Sequence, residues 1–269
     1  MACRLARLER RSLDVGNPFF SVISIALVTA LLGGALAWQA GWGRAPVMAG
    51  LLGYAALGLV VVLMAGGRGL VGFGVANQVT LLRAGLVCLA GGAAVAGGPA
   101  SVPAWSLAAV VAAALSLDAV DGWLARRFRL SSGFGARFDL EVDALLILVL
   151  ALLVWQTGRV GPWVLAIGLM RYAYLLAGWL VPRLDRSLPP SRRRQAVCVQ
   201  QGVTLLLCLL PPVGALLANA IAAAALLSLL ASFAADLIYL LRVDGGRASI
   251  DAVDRSTDRA ILLSTPDVS

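Results

Sequence analysis

Asp118 and Asp121 stand three residues apart, and Asp139 and Asp143 four apart, in a stretch that also holds Glu141. These five are the only acidic residues between Asp14 and Asp185. Spacings of three and four put side chains on one face of an α-helix, so each Asp pair forms a two-carboxylate face. Gly122 and Ala125 share the stripe of the first pair, and Arg126 adds a fixed cation at the same helix end. Glu141 points away from the Asp139/Asp143 face and is read as lying outside the site. The basic segment between the pairs is short, so the second helix must run antiparallel to the first, and the two acidic faces can meet.

Four ionised carboxylates gathered away from bulk water repel one another and require compensating positive charge. Two divalent cations would supply it. The chain contains no His, and Cys3, Cys88, Cys198 and Cys208 form no Cys-x-x-Cys pair. Serine–histidine catalysis and His- or Cys-ligated zinc are thereby excluded, and packing is the expected role of the cysteines. An all-oxygen cage suits hard ions such as Mg²⁺, Mn²⁺ or Ca²⁺. With small residues beside the metals and Arg126 close by, the pocket fits a polyanion, above all a pyrophosphate.

The elements that must hold these residues are membrane helices. The 269-residue chain is 60% hydrophobic and 13% charged, with mean hydropathy +0.89, too apolar for an ordinary soluble domain. Apolar runs near 19–40, 46–66, 79–98, 104–124, 137–156, 161–181, 195–211 and 214–241 are each long enough to serve as a candidate span. Abundant Gly and Ala suit close helix approach in a lipid-embedded bundle, so the expected fold is an all-α polytopic helix bundle and not a β-barrel.

All 22 basic residues are Arg. Most lie before the first expected span and after the fourth, sixth and eighth, while the opposite loops hold only Arg44 and Arg159. This positive-inside asymmetry places both termini and the Asp-bearing loop in the cytoplasm of an integral protein of a bacterial inner membrane, and it argues against a nucleic-acid partner. The first apolar run is too long, and its polar lead too lengthy, for a signal peptide; it is expected to be retained.

Asp118-x-x-Asp121-Gly122-x-x-Ala125-Arg126, eight residues, then Gly135-x-x-x-Asp139-x-x-x-Asp143 resembles the CDP-alcohol phosphotransferase family at every fixed position of its signature. Asn77-x-x-Thr80-x-x-Arg83 resembles a further family segment, with Ala76 standing where Pro is usual. Ala144 stands where many members carry Lys.

The resemblance implies a six-helix core over 71–242, preceded by a basic lead (1–16) and two accessory helices (17–70) and followed by a polar tail (243–269). It implies that Asp118, Asp121, Asp139 and Asp143 ligate two Mg²⁺ or Mn²⁺ ions, with Asp143 also the catalytic base. Gly122, Ala125 and Arg126, with Asn77 and Thr80, would bind the CDP moiety. The implied activity is that of a CDP-alcohol phosphatidyltransferase (EC 2.7.8.-) in phospholipid biosynthesis. Its donor would be CDP-diacylglycerol or another CDP-alcohol, its acceptor a small polar alcohol, and CMP would be released; a homodimer is compatible with this.

Arg171, Arg193 and Arg194 are candidates for holding an anionic acceptor. Arg171 could instead pair with Asp236 or a site Asp, and Arg83 carries the same two readings. A CDP-linked soluble alcohol acting on a lipid acceptor is the runner-up within the class. A divalent-cation transporter is the alternative outside it, disfavoured because the carboxylates lie at one membrane face and not at the midplane.

Overall fold

A computed structural model describes residues 17–67, 74–128, 133–180 and 191–238. The basic lead, most of the Gly-rich turn before the core, the basic loop at 129–132 and the polar tail lie outside the described residues. The chain folds into helices α1 (Pro18–Gln39), α2 (Arg44–Gly67), α3 (Val75–Val95), α4 (Ala104–Phe128), α5 (Gly133–Gln156), α6 (Leu165–Leu180), α7 (Arg192–Leu209) and α8 (Ala215–Ile238). No strand occurs among the described residues.

Helix ends follow local chemistry. Asn17 caps α1, its side-chain oxygen accepting from the Phe19 N–H at 3.0 Å, with Pro18 at the first helical position, where a missing N–H costs nothing. The α3–α4 connection turns through Gly97 and Gly98, at φ 122° and 77°, a region open mainly to glycine. Helix α5 starts at Gly133, earlier than the apolar run beginning near 137 suggests. Phe134 and Phe138 stack one turn apart with ring centroids 6.3 Å apart, a contact that favours the extra helical turn. Asp139 and Asp143 therefore sit deeper in the helix than its first turn.

Among the described residues, helices Pro18–Gln39, Arg44–Gly66, Asn77–Val95 and Ala215–Ile238 are long and apolar enough to cross a bilayer.

Two compact units are distinguishable. One takes the described residues up to Met170 with Cys198–Leu226; the other takes Arg171–Val197 and the described residues from Leu227 on. In the first unit, α3 is central. In its most apolar window 72% is buried, against 17% for α1 and 28% for α2, so α1 and α2 are the peripheral pair that turns Phe20, Leu27, Leu31 and Leu52 outward. Lipid chains are as apolar as leucine, so such helices associate through close packing and not through hydrophobic burial. Small residues provide it: a Cβ on Gly85 of α3 would meet Thr29 Oγ1 of α1 at 2.3 Å. Polar contacts add to this, with Trp42 Nε1 donating to Ser106 Oγ of α4 at 2.7 Å and Tyr54 Oη to the Val22 carbonyl at 3.2 Å.

In the same unit, Arg159 donates to the carbonyls of Leu210 at 2.7 Å and Val213 at 2.6 Å, and Asn219 Nδ2 donates to the Arg159 carbonyl at 2.6 Å. One of the two basic residues expected in the sparse loops thus caps the C-terminal end of α7. Gln201 is an interhelical donor, bonded to the Ala225 carbonyl at 2.9 Å. Cys88 and Cys208 are buried in packing as expected, whereas Cys198 is exposed.

Candidate active site

Three helices of the first unit contribute. Helix α3 carries Arg83, α4 carries Asp118 and α5 carries Asp139 and Asp143. The guanidinium of Arg83 donates through Nη1 to Asp118 Oδ1. Through Nη2 it donates to Asp139 Oδ1 at 2.5 Å and to the Asp139 carbonyl at 3.3 Å, and it lies 3.1 Å from Asp143 Oδ1. One cation gathers three carboxylates from two helices. The predicted meeting of the acidic faces is realised for these three residues.

Burial divides the cluster into an inner and an outer side. Arg83 is 0% exposed, while the side chains of Asp118, Asp139 and Asp143 are 31%, 38% and 22% exposed. A ligand can reach the carboxylates from outside but not the arginine behind them. Thr80 is buried one turn before Arg83, and Asn77 is half-buried a turn earlier, so the segment Asn77-x-x-Thr80-x-x-Arg83 runs along α3 towards the cluster. Glu141 is exposed, in keeping with its position off the Asp139/Asp143 face.

Asp121, Gly122, Ala125 and Arg126 fall within α4, and their side chains lie outside the described residues.

One carboxylate oxygen from each of Asp118, Asp139 and Asp143 lies within 4.8 Å of the other two. Three carboxylates against one guanidinium leave a net charge of −2, and every available ligand atom is oxygen. That donor set fits a hard divalent cation.

Of the two sequence readings of Arg83, acceptor contact or pairing with an Asp, the structure shows the pairing, and with three site aspartates at once. Its signal was available: Arg83 is the only charged residue in α3, and a charge in an apolar helix needs an oppositely charged or polar partner. Nothing in one dimension says which.

In the second unit, Arg193 is bonded to Asp236 Oδ1, and Arg194 Nη1 lies 3.7 Å from Asp236 Oδ2. Two of the three candidate acceptor arginines thus flank the carboxylate considered as a partner for Arg171, which is half-buried in α6.

A helical membrane bundle with an oxygen-only carboxylate cluster, partly exposed and backed by a buried arginine, has the donor set to hold a divalent cation. The CDP-alcohol phosphatidyltransferase family model matches residues 73–233. This is more than half of the chain, and the chain belongs to that family. Members are transferases of substituted phosphate groups that act on CDP-alcohols. Helices α1 and α2 lie outside the matched residues. No significant match to a curated protein or to a solved structure is found.

Proposed function

We propose that the protein transfers a phosphatidyl group from CDP-diacylglycerol to the hydroxyl of a small polar alcohol, in phospholipid biosynthesis. The observation that carries this reading is the convergence of Asp118, Asp139 and Asp143, their ligand oxygens within 4.8 Å of one another, in a chain of the CDP-alcohol phosphatidyltransferase family.

Asp118, Asp121, Asp139 and Asp143 would hold two divalent cations, Mg²⁺ or Mn²⁺, whose charge would offset that of the pyrophosphate and of the departing CMP. Gly122 and Ala125, small residues on the sequence stripe of Asp118 and Asp121, and Arg126 are assigned to the CDP moiety, with Asn77 and Thr80 supplying hydrogen bonds. The acceptor oxygen attacks the phosphorus distal to cytidine, a new P–O bond forms, and the P–O bond to CMP breaks. Asp143 takes the hydroxyl proton. CMP leaves with the electron pair of the broken bond, and the product is a phosphodiester.

The clustering of arginines in alternate loops supports a site opening to the cytoplasm of a bacterial cell. Arg171, Arg193 and Arg194 are the residues assigned to an anionic acceptor, such as a phosphorylated polyol.

The test is incubation of the purified protein with CDP-diacylglycerol, Mg²⁺ or Mn²⁺ and a panel of alcohols, with CMP quantified and the lipid product identified. CMP release dependent on one acceptor supports the reading. A folded protein that releases no CMP with any acceptor sinks this donor assignment, and cation flux into proteoliposomes without CMP release would replace it with transport.

A further inference from the structure

We propose that Arg83 is the resident counter-cation of the site, holding the place of a divalent cation among Asp118, Asp139 and Asp143 and giving up those carboxylates when metal loads. This rests on the reading of the cluster as a metal site.

Three observations carry it. First, Arg83 is fully buried, with 0% exposure, on a helix otherwise free of charge, and an ionised side chain is kept in such a place only by strong polar partners. Second, the oxygens it engages, Oδ1 of Asp118, Asp139 and Asp143, belong to the same three residues whose ligand atoms converge within 4.8 Å. A guanidinium and a metal ion drawing on those carboxylates repel each other and compete for the same lone pairs. Third, Arg83 also donates to the backbone carbonyl of Asp139 at 3.3 Å. A carbonyl is no part of the carboxylate charge, so this bond gives the guanidinium a partner that metal loading does not require.

The arrangement reconciles two needs of a carboxylate cluster. Without metal, three like charges would drive the helices apart; the guanidinium holds them at a spacing from which a cation can be bound. With metal, the charge of Arg83 is surplus to the carboxylates and favours the arrival of an anionic donor. Arg83 is thus a positioning residue, acting through the aspartates and not on the reacting atoms.

The experiment uses the full-length protein stripped with EDTA, comparing wild type with Arg83→Gln and Arg83→Lys by thermal unfolding and by Mn²⁺ titration followed by electron paramagnetic resonance. Arg83→Gln should unfold at lower temperature than wild type without metal, yet bind Mn²⁺ at least about tenfold more tightly, because a buried like charge has been removed from the site. By linkage, saturating Mn²⁺ should then raise its melting temperature by more than it raises that of wild type. Arg83→Lys, which keeps the charge, should recover most of the metal-free stability. A merely structural role would only weaken Mn²⁺ binding, so unchanged or weaker binding by Arg83→Gln refutes the exchange. If Arg83→Gln does not fold without metal, the double variant Arg83→Gln/Asp139→Asn should, since its described cluster keeps the wild-type net charge of −2; failure of both overturns the proposal. Absence of Mn²⁺ binding by wild type would remove the metal reading itself, a separate result from wild-type binding without tightening in the variant.

Discussion

Gly92 of α3 faces Gly50 of α2 so closely that a Cβ on Gly92 would lie 2.5 Å from the Gly50 nitrogen and 2.2 Å from the Pro46 carbonyl oxygen. The obstructing atoms are backbone, which cannot swing aside. Gly92→Ala should therefore force α2 away from α3 and destabilise the fold by about 1–3 kcal/mol. Gly34→Ala, in α1 with nothing within 4 Å of the added Cβ, should be neutral or stabilise by about 0.5–1 kcal/mol. Thermal unfolding of both variants in the same detergent checks the contrast, and equal effects would refute the close-approach account.

Asp143 and Glu141 lie two residues apart on α5 but differ in setting: Asp143 joins the Arg83 cluster, whereas Glu141 is exposed. Asp143→Asn should lower kcat for CMP release by roughly 10²–10⁴-fold, the range for loss of a general base. Glu141→Gln should retain activity within about threefold. Comparable losses in the two would remove the special role of Asp143.

Chelation is the simplest test of the oxygen-only donor set. EDTA should abolish CMP release, and Mg²⁺ or Mn²⁺ should restore it, while Zn²⁺, which prefers nitrogen and sulfur ligands, should restore little. Full activity in EDTA would exclude a metal role.

Arg159 ties the α5–α6 connection to the end of α7 through bonds to the Leu210 and Val213 carbonyls of 2.7 and 2.6 Å. Arg159→Ala removes both bonds, leaving the Leu210 carbonyl its bond from the Val213 N–H at 3.2 Å, and should cost about 1–3 kcal/mol. Its Mn²⁺ affinity should match wild type, because no site carboxylate is touched. A lowered melting temperature with altered Mn²⁺ affinity would contradict that separation.

Arg193 shares Asp236 with Arg194. If these arginines hold an anionic acceptor, Arg193→Gln should raise the acceptor KM roughly tenfold with the donor KM unchanged, as expected for loss of one charge-assisted contact. A rise in the donor KM alone would move Arg193 to the nucleotide side.

Much of this protein could be read in one dimension, because a bilayer leaves the chain few options. Backbone groups in lipid must bond internally, so runs of apolar residues become helices. The interval of four between Asp139 and Asp143 fixes their shared face once a helix is granted. Helical periodicity likewise separates Glu141 from them. What the periodicity did not carry is helix length at a charged end: α5 gains a turn at Gly133 from the Phe134/Phe138 stack.

The sequence by itself determined the helical class, the acidic faces and the oxygen-only chemistry of the site, since each follows from residue type and local spacing. Only the tertiary structure decided which cation sits among the aspartates. Arg83 is 35 residues from Asp118 and 56 from Asp139, and any of several arginines could have met those carboxylates. The choice falls to Arg83 because α3 is the central helix of its unit, packed on its other side against α2 through Gly50 and Gly92. Helix packing is long-range and set by shape, and no local spacing encodes it.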